Sequence, residues 1–102
     1  MKVKTPEIGG VCESLQGRDS GSVYIILSAE GGFVFVADGI SRKAANPKKK
    51  NIKHIRLLPV KAEEIAKLIA EGKPVYDYQI AYALKQITKG LKSEDNECQK
   101  AT

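Results

Sequence analysis

Ser22-Val23-Tyr24-Ile25-Ile26-Leu27-Ser28 and Phe33-Val34-Phe35-Val36-Ala37, joined by Ala29-Glu30-Gly31-Gly32, decide the fold. Both runs are rich in β-branched and aromatic residues, and the adjacent glycines supply the positive φ that hairpin turns require. The second run is apolar at every position, so both of its faces should be covered. One face then belongs to the interior of a small barrel, and the other needs a lid.

Upstream, Ile8-Gly9-Gly10-Val11-Cys12-Glu13-Ser14-Leu15 reads as a first strand opened by two glycines, and Gln16-Gly17-Arg18-Asp19-Ser20-Gly21 as a turn. Downstream, Asp38-Gly39 predicts a turn, 40–43 a short fourth strand, 44–51 a basic loop and 52–58 a fifth strand ended by Pro59. After Pro59 the period becomes helical. Ala62, Ile65, Ala66, Leu68 and Ile69 mark one helix, stopped by Gly72 and Pro74. Ile80, Leu84 and Ile87 mark a second, from an Asp77 N-cap to about Lys89. These helices are the expected lid for 33–37. The expected architecture is mainly β. A small SH3-like barrel of about five strands fills residues 1–60, a helical extension over 61–91 packs on it, and 92–102 form a disordered tail.

The net charge of +5 is unevenly placed: residues 1–60 hold 10 Lys+Arg against 5 Asp+Glu, and residues 61–102 hold 7 against 7. No acid lies between Asp38 and Glu63, where Arg42, Lys43, Lys48, Lys49, Lys50, Lys53, Arg56 and Lys61 all fall. Like charges so gathered repel each other in the free protein, and the usual reason for gathering them is a polyanion such as a phosphate backbone. Arg18 and Arg42 suit forked phosphate contacts, while lysines act as mobile point charges. Gly17 and Gly21 let backbone N–H groups approach a phosphate, and Pro47 stiffens the basic loop. The turn and the loop are expected to share one surface as a cradle. Few aromatics accompany the loop, which favours folded RNA read by shape and backbone over stacked bases. Neutralising about five to seven phosphates gives a log–log salt slope of about −4 to −6.

Gly10-Val11, Gly17-Arg18-Asp19-Ser20-Gly21 and Val23-Tyr24-Ile25 resemble a KOW motif, the RNA-binding strand–turn–strand of several ribosomal proteins. Ala37-Asp38-Gly39, Arg42 and Asn46-Pro47-Lys48-Lys49-Lys50-Asn51-Ile52-Lys53-His54 resemble one branch more specifically. That branch holds small KOW-domain proteins similar to the fourteen-e kind of large-subunit ribosomal protein. The resemblance covers roughly residues 8–56 and leaves out the helices. It implies an SH3-like barrel that contacts ribosomal RNA without catalysis. Under it, Gly21 matches the glycine that defines the turn, and Arg18 and Lys48-Lys49-Lys50 match RNA-touching positions. Ser20 departs, standing where many such turns carry lysine, which removes one phosphate contact. The expected RNA-binding residues are Arg18, Gly21, Arg42, Lys43, Lys48, Lys49, Lys50, Lys53, His54 and Arg56.

Other chemistry is poorly supplied. Cys12 and Cys98 are far apart with no CxxC spacing, and one histidine makes no metal-ligand set, so neither metal nor cofactor is expected. Both cysteines read as free thiols in a reducing cytoplasm, Cys12 near the core. His54 has no recognisable nucleophile or orienting acid beside it. Asp19 and Asp38 read as turn residues bonding their own backbone, and at least one of Phe33 and Phe35 as core. Gly31-Gly32 lacks the Gly-Lys-Ser/Thr of a P-loop. No apolar leader opens the chain and no run reaches membrane-spanning length, so a cytoplasmic monomer is expected, with no membrane or small-molecule partner. The competing function is an SH3-like protein-interaction module of the translation or transcription machinery. The lack of Trp, and of aromatics other than Tyr24, Phe33 and Phe35 in the barrel half, disfavours it. Tyr76, Tyr78 and Tyr82 of the helical extension still offer ribosomal proteins a docking face.

Overall fold

The computed structural model describes residues 6–91, so the expected tail over 92–102, with Cys98, lies outside the described residues. The strands are β1 (Gly10–Ser14), β2 (Val23–Glu30), β3 (Phe33–Ala37), β4 (Lys48–Asn51) and β5 (Ile55–Lys61). A single 3-10 turn, Ile52–His54, joins the last two, and helices α1 (Glu63–Ala70) and α2 (Asp77–Leu91) follow. All strands pair antiparallel in one open sheet of order β4-β3-β2-β1-β5, leaving β4 and β5 as edges. The protein is mainly β with two appended helices.

Alternation along β1 and β2 sends side chains to two separate cores. Cys12, Tyr24, Ile26, Val34, Val36 and Ile55 gather on one face. Val11, Ile25 and Ala37 gather on the other, against Ala62, Ile65, Ile80 and Leu84 of the helical segment. Ile25, Ile26, Ile65 and Ile80 are fully buried, each contributing about 1.5–3 kcal/mol. Helices of 8 and 15 residues are marginal in isolation, so this packing holds them.

The lid sits elsewhere than expected. The helices cover β1 and β2, and reach β3 through Ala37 alone among the residues of the helix-side core. Phe33 and Phe35 are both half-buried, and the buried residues of β3 are Val34, Val36 and Ala37. The fourth strand is also displaced, from 40–43 to Lys48-Lys49-Lys50-Asn51, which pairs with β3 from Val36↔Lys48 to Phe33↔Asn51. Lysine has low β-propensity, so composition hides a strand that its ladder partner imposes. Meanwhile the Asp38 carboxylate folds 38–42 into a turn, accepting from the backbone N–H groups of Ile40 and Arg42 and from Ser41 Oγ, each at 2.8 Å.

The fifth strand starts at Ile55 and runs through Pro59 to Lys61. Between the pairs Cys12↔Leu57 and Gly10↔Lys61, β5 advances four residues while β1 advances two. Proline lacks an N–H and is tolerated at such an irregularity on an edge strand. The connection after β3 is fastened to α2. Asp77 Oδ1 accepts from Ala44 N at 2.7 Å, and a Cβ on Gly39 would collide with the Asp77 carbonyl oxygen. Gly39 also has φ +79°, so glycine is required there twice over. Among the described residues, no helix is long and apolar enough to cross a membrane.

Candidate nucleic-acid interface

Antiparallel order puts the β1–β2 turn, the β3–β4 connection and the start of β5 at the same end of the sheet. Arg18, Gly21, Arg42 and Lys43 therefore collect at that end. The 3-10 turn bearing Lys53 and His54 instead crosses from the far end, where Ile52 N bonds the Gly32 carbonyl at 3.0 Å, back to Ile55 opposite Ser14. Gly21 has φ +94° with open space where a Cβ would lie, and its N–H bonds the Ser14 carbonyl at 2.8 Å. Its contribution is the shape of the turn. A hydrogen bond from Leu15 N to the His54 carbonyl, 2.9 Å, ties that turn to the start of β5 and leaves the imidazole exposed.

The turn and the lysine stretch do meet, but the meeting place already contains an anion. Asp19 Oδ1 accepts from Ser14 Oγ at 2.8 Å and from Lys50 Nζ at 3.2 Å. Its Oδ2 accepts from Tyr24 OH at 2.9 Å and pairs with Lys48 Nζ at 3.2 Å. Lys50, only 8% exposed, also donates to the Gln16 carbonyl at 3.1 Å. The expected open cradle is thus corrected to an internal ionic cluster. Lys50 is spent inside the protein, and Lys48 reaches the surface already paired.

The electrostatics follow from this cluster. Burial alone would raise the Asp19 pKa, but hydrogen bonds from Ser14, Tyr24, Lys48 and Lys50 outweigh it and hold the carboxyl well below the usual range. Tyr24 is pushed up to about 12 by burial first and then by the Asp19 carboxylate. Burial pushes the Cys12 thiol up to about 12, opposed by the nearby Lys50 charge. Asp38 behaves as a turn aspartate should: burial opposes its ionisation, yet donors from Arg42, Ile40 and Ser41 lower its pKa. Asp19 does not, because its carboxylate serves four side chains instead of its own turn backbone. The available signal was the pair of inward-pointing hydroxyl residues, Ser14 and Tyr24, at equal spacing on either side of it.

The remaining basic residues divide by commitment. Strand alternation turns Lys49 away from Lys48 and Lys50, and its Nζ lies 4.4 Å from the Phe33 ring centroid, a cation–π contact. Arg56 forks onto Glu13 through Nε, at 3.1 Å, and Nη2. Arg42 Nη1 reaches the Asn46 carbonyl at 3.4 Å. Arg18, Lys43, Lys53 and His54 are exposed, and none of them forms a salt bridge among the described residues. Among those residues no cluster of His, Cys, Asp or Glu could hold a metal ion. The arrangement offers exposed basic side chains on the β1–β2 turn, the β3–β4 connection and the 3-10 turn, suited to electrostatic contact with an anion. No family model matches the chain, and no curated protein matches it.

Proposed function

We propose that this chain is a non-catalytic RNA-binding protein of the KOW type. It grips folded RNA, ribosomal RNA first, through phosphate contacts, and works in the cytoplasm in association with ribosomes. The observation that carries the reading is the exposure of Arg18, Lys43, Lys53 and His54, none of which forms a salt bridge among the described residues, with Arg18 and Lys43 at the same end of the sheet. Basic side chains placed this way gain nothing for the free fold and meet a phosphate backbone without first breaking an ion pair. Lys49 and Arg42 extend the set, whereas Lys48 and Lys50 act by shaping the turn. We read the sheet, whose edge strands are joined by a 3-10 turn, as a partly open SH3-like barrel. A peptide-binding groove on the sheet has little support, since Tyr24 is buried and Phe33 lies under Lys49.

The test is anisotropy of a labelled, structured ribosomal RNA fragment titrated with the full chain at several salt concentrations. A log–log slope of about −3 to −4 is expected, shallower than the raw lysine count implies. Arg18→Ala and Lys53→Ala should each weaken binding and flatten the slope by about 1. Absence of salt-dependent binding to any structured RNA overturns the proposal.

A further inference from the structure

The helical layer carries a surface of different chemistry. Tyr78 and Tyr82, one turn apart on α2, are 70% and 61% exposed. Tyr76, just before the helix, stacks on Tyr78 with centroids 5.9 Å apart and rings within 4° of parallel. Between this aromatic row and α1 runs a groove of about 450 Å³ lined by Glu64, Ile65, Leu68, Tyr78, Gln79 and Tyr82. Ile65 is a core residue, so the groove has a fixed apolar floor. Its one charged residue is the exposed Glu64, on a protein of net charge +5. Glu64 forms no salt bridge among the described residues. On its other side Tyr82 borders a second cleft, which holds Lys85 with Asp38 and Ile40.

We propose that this groove binds a basic, amphipathic segment of a partner protein. The electron-rich faces of tyrosine rings attract ammonium and guanidinium groups, and a carboxylate at the rim strengthens that preference. Leu68 and Ile65 give the apolar residues of the same segment a floor. Glu63 and Glu64 suit the first turn of α1 through the helix dipole, which explains acids there but not the two exposed tyrosines, Tyr78 and Tyr82, that share the groove with Glu64. Tyrosine is enriched among the anchors of protein interfaces. Nucleic acid is the poorer occupant, because Glu64 repels phosphate and no cation lines the groove. The groove shares no residue with the proposed RNA surface, although Asp77 beside Tyr78 bonds Ala44 beside Lys43.

The experiment is an amide-resolved NMR titration of the isotope-labelled full chain with a short peptide of leucines and arginines. The same peptide with glutamates replacing the arginines, and an unstructured oligouridine, serve as comparators. The arginine peptide should shift the amides of Glu64, Leu68, Tyr78 and Tyr82, and the comparators should leave them still. Glu64→Arg should weaken the arginine peptide roughly tenfold or more, as should Tyr78→Ala, since each removes an attraction of about 1.4 kcal/mol or greater. Both positions are exposed, and an otherwise unchanged amide spectrum verifies the fold. Equal response to the arginine and glutamate peptides overturns the proposal. So does a groove response to oligouridine alone, to the protein's own concentration, or one indifferent to Glu64→Arg.

Discussion

The β1–β2 turn and the β3–β4 connection stand at the same end of the sheet, each with an aspartate and exposed cations, yet they are secured in opposite ways. The first is held from within the sheet: Asp19 reaches Ser14, Tyr24, Lys48 and Lys50 across three strands. The second is held locally by Asp38 and from outside by the start of α2 through Ala44 and Gly39. Removing one anchor should therefore loosen a face of the sheet, and removing the other should loosen only a loop. Density of charge in a sequence is consequently not the same as charge available to a ligand.

The largest effect expected is for Asp19→Ala, which strands the nearly buried Lys50 ammonium without its counter-ion and should cost about 3–5 kcal/mol in urea unfolding. Adding Lys50→Met should recover a substantial part of that loss, and strict additivity would break the proposed coupling. Acid should act through the same group. Its folded pKa lies below the unfolded value of about 4, so the unfolded chain binds more protons as pH falls. Stability should be full above about pH 4 and decline as pH falls further, with a shallower decline in Asp19→Asn. Next in size, Asp38→Ala should cost about 1–2 kcal/mol, because its donors lie in an exposed turn where water replaces it. An equal penalty at the two aspartates would erase the contrast. The smallest effect belongs to Lys49→Ala, which should leave the urea midpoint nearly unchanged and flatten the RNA salt slope by about 1. Alanine at all of Lys48, Lys49 and Lys50 should also lower stability, which a purely surface role for these lysines would not do.

Much of the fold was legible because period and turn chemistry agree over long stretches. The β2–β3 hairpin, the helical stripes through Ile65 and Ile80 and the turn at Gly21 all carry their own local signal. The misplaced fourth strand shows the limit. Lys48-Lys49-Lys50 carries no strand propensity, and only the ladder with β3 makes it extended. Pro59 misled for a related reason: whether a proline ends a strand depends on its being at an edge, which no local rule reveals. Of the candidate site, the end of the sheet followed from chain order, but Asp19 did not. A lone acid in a turn reads as turn chemistry until its lysines, some 30 positions away, are brought beside it.

The two outer strands also determine what this sheet does in a crowd of its own copies. An exposed β edge is a template on which a second chain can extend the ladder. Here one rim is a strand of three lysines and an asparagine, residues poorly suited to extending a ladder, and the other is interrupted by a residue with no hydrogen to donate. Both features oppose the fibril-like growth that an open sheet edge would otherwise invite.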